Sequence, residues 1–407
     1  MHLLQLAGNQ AWPNLLPILA LKPTSVTFLT SADPNDGYSR SINAIQSACI
    51  DLGVRFSLQT LSTRAGNPTT DECRQLLKNL SPDCINLTGG TKPMSIAAYD
   101  LARQKNIPAF YLDTRRKNKA VEIVGGPLSQ FTSHDAWDLP ALVARITVPV
   151  ALKANGFPVP AHFKTPPDHW VAFSIQAAEI RKDLIADQEI AKAIGALRHV
   201  LMGTDSNMPK KAQLRRVLQI PITPPTDSAW HRYLTAAAIT GIIQATDNGA
   251  SNHPEFLLLH EDPLTTDAEP LRSLANDAFK LLEGIWFELA LIHRLQQKSS
   301  FSDIRWSVEA DRLQEPSASS RGETDLVAFN SSQLALHFIS CKTTGPHGSS
   351  LDHIQGLRQR ASKEGGKFSK AELWIFRAKT QDQRRDLESH CIAQNVTLRV
   401  FTDPADF

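Results

Sequence analysis

Cys84-Ile85-Asn86-Leu87-Thr88-Gly89-Gly90-Thr91-Lys92-Pro93-Met94-Ser95 runs from an apolar strand through two adjacent glycines into the start of a helix. A glycine pair at that junction lets the chain turn sharply and lets backbone N–H groups approach a ligand. Working outward, β-rich apolar stretches at 2–8, 25–31, 55–60 and 109–112 alternate with helical stretches at 14–21, 40–52, 70–80 and 94–104. Alternation of this kind predicts a doubly wound parallel sheet with helices on both faces. The Gly-Gly loop then lies at the carboxyl end of a strand, where open α/β sheets bind ligands.

Two readings of the glycine pair stand side by side. One is a tight strand-to-helix turn; the other is a phosphate cradle in which Thr91 adds a hydroxyl and Lys92 a charge. The spacing excludes a Walker A loop, and no GxGxxG fingerprint is present. The loops after the first strand (Gly8-Asn9-Gln10) and the second (Thr30-Ser31-Ala32) should join it in one cleft.

The stretch NLTGGTKPMSIAAYDLA, following VTFLTS and LLQLAGN, resembles the CARF domains, the CRISPR-associated Rossmann folds that sense cyclic oligoadenylates in type III CRISPR defence. The resemblance implies a homodimer whose two clefts face each other around one cyclic ligand. It also implies contacts from Lys92, Thr91 and the glycine amides; with the neighbouring strand-end loops the candidate ligand set is Asn9, Gln10, Thr30, Ser31, Thr88, Gly89, Gly90, Thr91, Lys92 and Met94.

Prolines become frequent between Pro127 and Pro167, which sets the end of this first domain near residue 150. Helical patterns follow at 174–202, 210–218 and 228–244, giving a mostly helical connecting region over 151–265 to which no chemistry is assigned. From 266 to 407 the pattern changes again. A helix at 270–297 precedes strands at 304–308, 325–329 and 334–341, a helix at 351–363 and a strand at 373–377, predicting a helix followed by a mixed sheet.

This last segment carries three separated features: Glu288 in GIWFE (284–288), Asp325 in RGETDLV (321–327) and Lys342 in FISCKT (338–343). Taken alone, Glu288 reads as a solvated helix-face residue. Asp325 opens an apolar strand, where a carboxylate costs desolvation without a partner or a metal. An acid on one strand and [D/E]xK on the next resembles the PD-(D/E)xK restriction-endonuclease-like fold, in which carboxylates hold a divalent cation and lysine assists attack on a phosphodiester. The resemblance implies Glu288, Asp325 and Lys342 as the catalytic set, with Glu288, Asp325 and the Cys341 carbonyl as metal ligands for Mn2+ or Mg2+. The sequence departs from that pattern at Ser340, which stands where the pattern has Glu or Asp. A serine hydroxyl is a poor substitute for a carboxylate ligand.

Beyond the lysine, Gln355, Arg358, Arg360, Lys363, Gly365, Gly366 and Lys367 make a basic stretch that reads as a phosphate-tracking surface or as a solvated helix face. His337 and Cys341 sit four residues apart on one strand, roughly 13 Å, which removes a Cys–His nucleophile. The histidines show no HExxH spacing, so zinc chemistry has no support.

The 43 basic and 41 acidic residues leave a formal net charge of +2, so any basic surface is local. The five cysteines form no CxxC pair, which argues against a structural zinc site or a disulfide framework and fits a reducing cytoplasm. The apolar start lacks a basic leader and is interrupted by Asn9, Gln10 and Pro13, so neither a signal peptide nor a membrane span is expected. The expectation is a cyclic-oligoadenylate-activated, metal-dependent nuclease acting on DNA, RNA or both. Its rivals are a nucleotide sensor with a weak or inactive nuclease domain, and a sensor that also degrades its own ligand.

Overall fold

The computed structural model describes residues 1–8, 10–33, 37–64, 68–113, 119–124, 139–156, 162–202, 222–246, 255–257, 277–309, 323–343, 350–366, 369–377 and 380–401. The chain divides into two compact units. One comprises Met1–Phe163, Ser299–Phe338 and Gly356–Ala371; the other comprises Lys164–Lys298, Ile339–Gln355 and Glu372–Phe407.

In the first unit, strands and helices alternate as β1 (His2–Leu6), α1 (Trp12–Leu21), β2 (Ser25–Ser31), α2 (Tyr38–Asp51), β3 (Ser57–Thr63), α3 (Thr70–Leu77), β4 (Cys84–Asn86), α4 (Lys92–Lys105), β5 (Ala109–Asp113) and β6 (Lys119–Val124). The sheet order is β3-β2-β1-β4-β5-β6, with β1 to β5 parallel. β1 sits between β2 and β4, so the winding direction reverses beside it, and a crevice opens above the carboxyl ends of β1 and β4. The edge strand β6 runs antiparallel to β5, an addition that the sequence expectations did not contain.

The period-2 and period-3.6 patterns explain this layering. Leu3, Leu4 and Leu6 of β1 are fully buried because helices cover both faces of the sheet. On one side Met94, Ala97, Ala98, Leu101 and Ala102 of α4 pack with Cys73 and Leu77 of α3 over Leu4, Leu6 and Ile85. α1 and α2 pack on each other, and α2 packs on α6 (Val148–Ala154), which follows α5 (Leu139–Ala144).

The later strands are β7 (His162–Lys164), the pair β8 (Gln244–Thr246) and β9 (Glu255–Leu257), β10 (Phe301–Glu309), β11 (Glu323–Asn330), β12 (Ala335–Lys342), β13 (Lys370–Phe376) and β14 (Thr397–Phe401). Six of them form a sheet of order β14-β13-β12-β11-β10-β7. It is mixed, as expected: β10 and β11 are antiparallel, β13 and β14 parallel.

The remaining helices are α7 (Asp168–Arg181), α8 (Leu184–Met202), α9 (Ala229–Ile239), α10 (Trp286–Gln296), α11 (Ser350–Glu364) and α12 (Gln381–Ala393). The single helix expected over 174–202 is instead two, α7 and α8. Asp183 causes the break: its carboxylate accepts from the Ala186 N–H at 2.8 Å and caps α8. α10 is preceded by a π-helical turn, Leu281–Ile285, at the Gly284 of the GIWFE stretch. α9 is shorter than the expected 228–244, and the expected helix at 210–218 lies outside the described residues. In the second unit α7 packs on α8, α9 and α10. Arg181, 3% exposed, donates to Asp187 at 2.6 Å and lies over the Trp286 ring. Among the described residues no helix is long and apolar enough to cross a membrane.

Candidate functional site

A cleft of about 700 Å³ opens at the carboxyl ends of β1 and β4, with Gly8, Gln10, Thr88, Gly89 and Gly90 on one wall. The glycine pair is explained first by packing. A Cβ on Gly89 would lie 2.2 Å from the Leu6 carbonyl oxygen. Gly90 has φ +73°, and a Cβ there would lie 2.8 Å from Leu6 Cβ. The end of β1 therefore requires both glycines, and the tight-turn reading is correct. It is compatible with the cradle reading, because the same turn forms the cleft wall. Gly8 is different: a Cβ there would meet only Gly90 N, at an ordinary 3.4 Å.

A buried polar network holds these loops in place. Asn86, fully buried, donates through Nδ2 to Gln5 Oε1 (2.5 Å) and to the Pro13 carbonyl (2.8 Å), and Gln5 Nε2 donates to the Asn14 carbonyl (3.0 Å). Asn86 Oδ1 accepts from the Thr88 N–H (2.9 Å) and hydroxyl (2.5 Å), and Thr88 Oγ1 accepts from the Leu112 N–H (2.7 Å). The first turn of α1 and the ends of β4 and β5 are thus tied to one side chain. Ser41 joins α2 to the same place, donating to the Gly8 carbonyl at 3.1 Å.

Of the ten ligand residues named from sequence, Gln10, Thr88, Gly89 and Gly90 line the cleft. The Thr88 hydroxyl is engaged in the network. Thr91 caps α4, and its Oγ1 is buried without a hydrogen-bond partner. Lys92 is exposed at the first position of α4, outside the lining. Thr30 and Ser31 are buried at the end of β2; Ser31 Oγ accepts from the Asp33 N–H at 3.1 Å. Met94 is fully buried in the core beneath α4. Asn9 lies outside the described residues.

Sequence reasoning missed several cleft residues. Tyr38 at the start of α2, Asn155 at the end of α6, Arg358, Ser362 and Lys363 of α11, and Gly366 just after it all line it. Arg358, Lys363 and Gly366 had been noticed as a basic stretch, but no local signal connects them to a loop more than two hundred residues earlier. Asn14 of α1 was also missed. It is 1% exposed, neither of its amide atoms has a hydrogen-bond partner, and Oδ1 lies 3.3 Å from where a Gly89 Cβ would be.

The nuclease-like residues are placed as follows. Glu288 is half-buried in the first turn of α10, between fully buried Phe287 and Leu289. Asp325 is half-buried on β11, whose Phe329 packs its ring 5.4 Å from that of Trp12 of α1. Lys342 ends β12, half-buried, after Cys341, which is 4% exposed. Ser340, 2% exposed, has its hydroxyl 2.9 Å from His353 Nε2 on α11. Among the described residues no three His, Cys, Asp or Glu side chains gather as a metal-holding group.

Comparison with known proteins matches this geometry. The family model described as the Card1 CARF domain matches residues 3–130, so the first domain is a CARF domain. Two solved structures resemble the whole chain. Protein VC1899 from Vibrio cholerae has a TM-score of 0.66 at 16% identity, covering 100% of this chain and 94% of that one. Can2 from Sulfobacillus thermosulfidooxidans, solved in complex with cyclic tetra-adenylate, has a TM-score of 0.61 at 16% identity, with the same two coverages. At that identity the likeness establishes the fold alone, an α/β first part followed by a second α/β part. No curated protein matches in sequence.

Proposed function

We propose that this chain senses a cyclic oligoadenylate, in the first instance cyclic tetra-adenylate, in the β1/β4 cleft, and that the ligand controls a metal-dependent nuclease that cuts DNA, RNA or both in type III CRISPR defence. The observation that carries the sensing half is the cleft itself. It stands at the switch point of a CARF sheet, among glycine amides, Gln10 and two cations, and no carboxylate is among its described lining residues. Buried, unpartnered Thr91 Oγ1 and the Asn14 amide beside Gly89 are the kind of polar groups a bound nucleotide or water satisfies. In this reading two copies form a homodimer with their clefts apposed, and the ligand activates only by binding one arrangement more tightly than the other.

For the nuclease half, the donors named from sequence, two carboxylates and the Cys341 carbonyl, are all oxygen, which suits Mn2+ or Mg2+. In this reading, which rests on the sequence pattern alone, Asp325 and Glu288 would hold the ion, the ion would supply an activated water, and Lys342 would stabilise charge developing on the phosphodiester. A second reading has a specific observation behind it. Ser340 stands where the fold's pattern has a carboxylate, and its hydroxyl is engaged with His353. On that reading the domain binds nucleic acid but cuts it weakly or not at all.

Calorimetric titration of the metal-free protein with cyclic tetra-adenylate tests the sensing half; absence of saturable binding defeats it. Cleavage assays with Mn2+ and the Asp325→Ala variant test the other half. Cleavage that survives this substitution removes the site assignment.

A further inference from the structure

A cyclic oligoadenylate carries one negative charge per phosphate, and among the described residues the loops at the strand ends bring no cation to the cleft: Lys92, the charge next to the glycine pair, lies outside the lining. Among the described residues the cations that line it are Arg358 and Lys363, both on α11. Resting on the sensor reading above, we infer that α11 is part of the nucleotide site, with Arg358 and Lys363 holding the ligand's phosphates from the side opposite the glycine turn.

Two features support this. First, α11 is anchored at the cleft by its own end. Gly366 has φ +73°, and a Cβ there would lie 2.6 Å from Asn155 Oδ1; Gly365 leaves no room either, with Phe338 at 2.6 Å. This close approach fixes where Lys363 and Ser362 project. Second, the division of chemistry is complementary. The glycine turn gives close backbone approach and neutral donors, whereas α11 gives the two charges that a polyanion needs. The basic stretch accordingly serves the activator and not the substrate backbone.

The test measures cyclic tetra-adenylate binding by calorimetry on the full chain without metal, for the unaltered protein and for Arg358→Gln, Lys363→Gln and the double variant, alongside binding of a short single-stranded DNA and RNA. The expected result is at least a ten-fold loss of cyclic tetra-adenylate affinity in each single variant, a larger loss in the double variant, recovery in Lys363→Arg, and unchanged DNA and RNA binding. Lys363 is exposed, so Lys363→Gln tests the inference even if the double variant fails to fold; thermal melting checks each variant. If the unaltered protein binds the ligand and the variants bind it equally well, the inference is overturned while the sensor reading stands. Loss of DNA or RNA binding with ligand affinity intact also overturns it, in favour of substrate tracking. If the unaltered protein binds no cyclic tetra-adenylate, both readings fall.

Discussion

Asn86 Oδ1 accepts two hydrogen bonds from one residue, the backbone N–H and the hydroxyl of Thr88, and so fixes the first turn of the loop that leads to the glycine pair. Its Nδ2 meanwhile holds Gln5 and the Pro13 carbonyl. Replacing it by Ala strands buried Gln5 on β1, the Pro13 carbonyl of α1 and Thr88 in the loop after β4. The expected cost is about 2–4 kcal/mol, since a network loses more than one bond's worth. Urea unfolding measures the cost, and cyclic tetra-adenylate titration should show weakened binding at temperatures where the variant is still folded.

The three glycines of the cleft are predicted to separate. Gly89→Ala forces a Cβ onto the Leu6 carbonyl and should destabilise the domain by about 2 kcal/mol or more. Gly8→Ala meets only an ordinary contact, so its stability should stay within about 0.5 kcal/mol of the unaltered protein. Because Gly8 still lines the cleft, Gly8→Ala should weaken nucleotide binding without a matching drop in melting temperature. Equal losses of stability in the two variants would contradict the geometry.

Ser340 is predicted to act as the partner of His353 and not as a metal ligand. Ser340→Ala should then keep cleavage within about three-fold of the unaltered protein while losing about 1 kcal/mol of stability with the Ser340–His353 hydrogen bond. Asp325→Ala should reduce cleavage by about a hundred-fold or more. A large loss of cleavage in Ser340→Ala would show that the hydroxyl belongs to the catalytic centre.

Burial pushes the Cys49 and Cys84 thiols up to about 12 and that of Cys391 up to about 11. A thiol this far above pH 8 is thiolate in roughly one molecule in a thousand or fewer. Iodoacetamide at pH 8 should therefore leave these three unlabelled in the folded protein and label them in urea. Mass spectrometry of the peptides reads the result.

Buried Arg181 pairs with half-buried Asp187 and lies over Trp286. Arg181→Met should cost about 1–3 kcal/mol in chemical unfolding, because it removes the partner of a half-buried carboxylate, which keeps Arg377 at 3.3 Å. It should leave cyclic tetra-adenylate affinity unchanged, since Arg181 does not line the cleft.

The first sheet was legible because most of its parallel strands are short apolar runs followed by a helix of clear period. The elements found at Ser25–Ser31 and Ala109–Asp113 coincide with or differ by one residue from the expected ranges. The edge strand Lys119–Val124 was missed because its alternation is weak and it pairs antiparallel, outside the strand-helix rhythm. The break at Asp183 was missed because the capping residue sits inside an otherwise continuous helical pattern. Half of the cleft was legible for the same reason as the sheet: Gln10 and the glycine turn follow strands. The other half was not, because Arg358 and Lys363 reach it from an element remote in sequence, and no local period records a tertiary approach. Nor did the sequence reveal that Asn155 makes Gly366 necessary.

Cleavage of supercoiled DNA and single-stranded RNA, measured with Mn2+ in the presence and absence of cyclic tetra-adenylate, tests the central claim most directly. The account predicts that at least one substrate is cut only when metal and cyclic tetra-adenylate are both present, and that Asp325→Ala abolishes the cutting. Cleavage at the same rate without the nucleotide, or none with any combination, would contradict it.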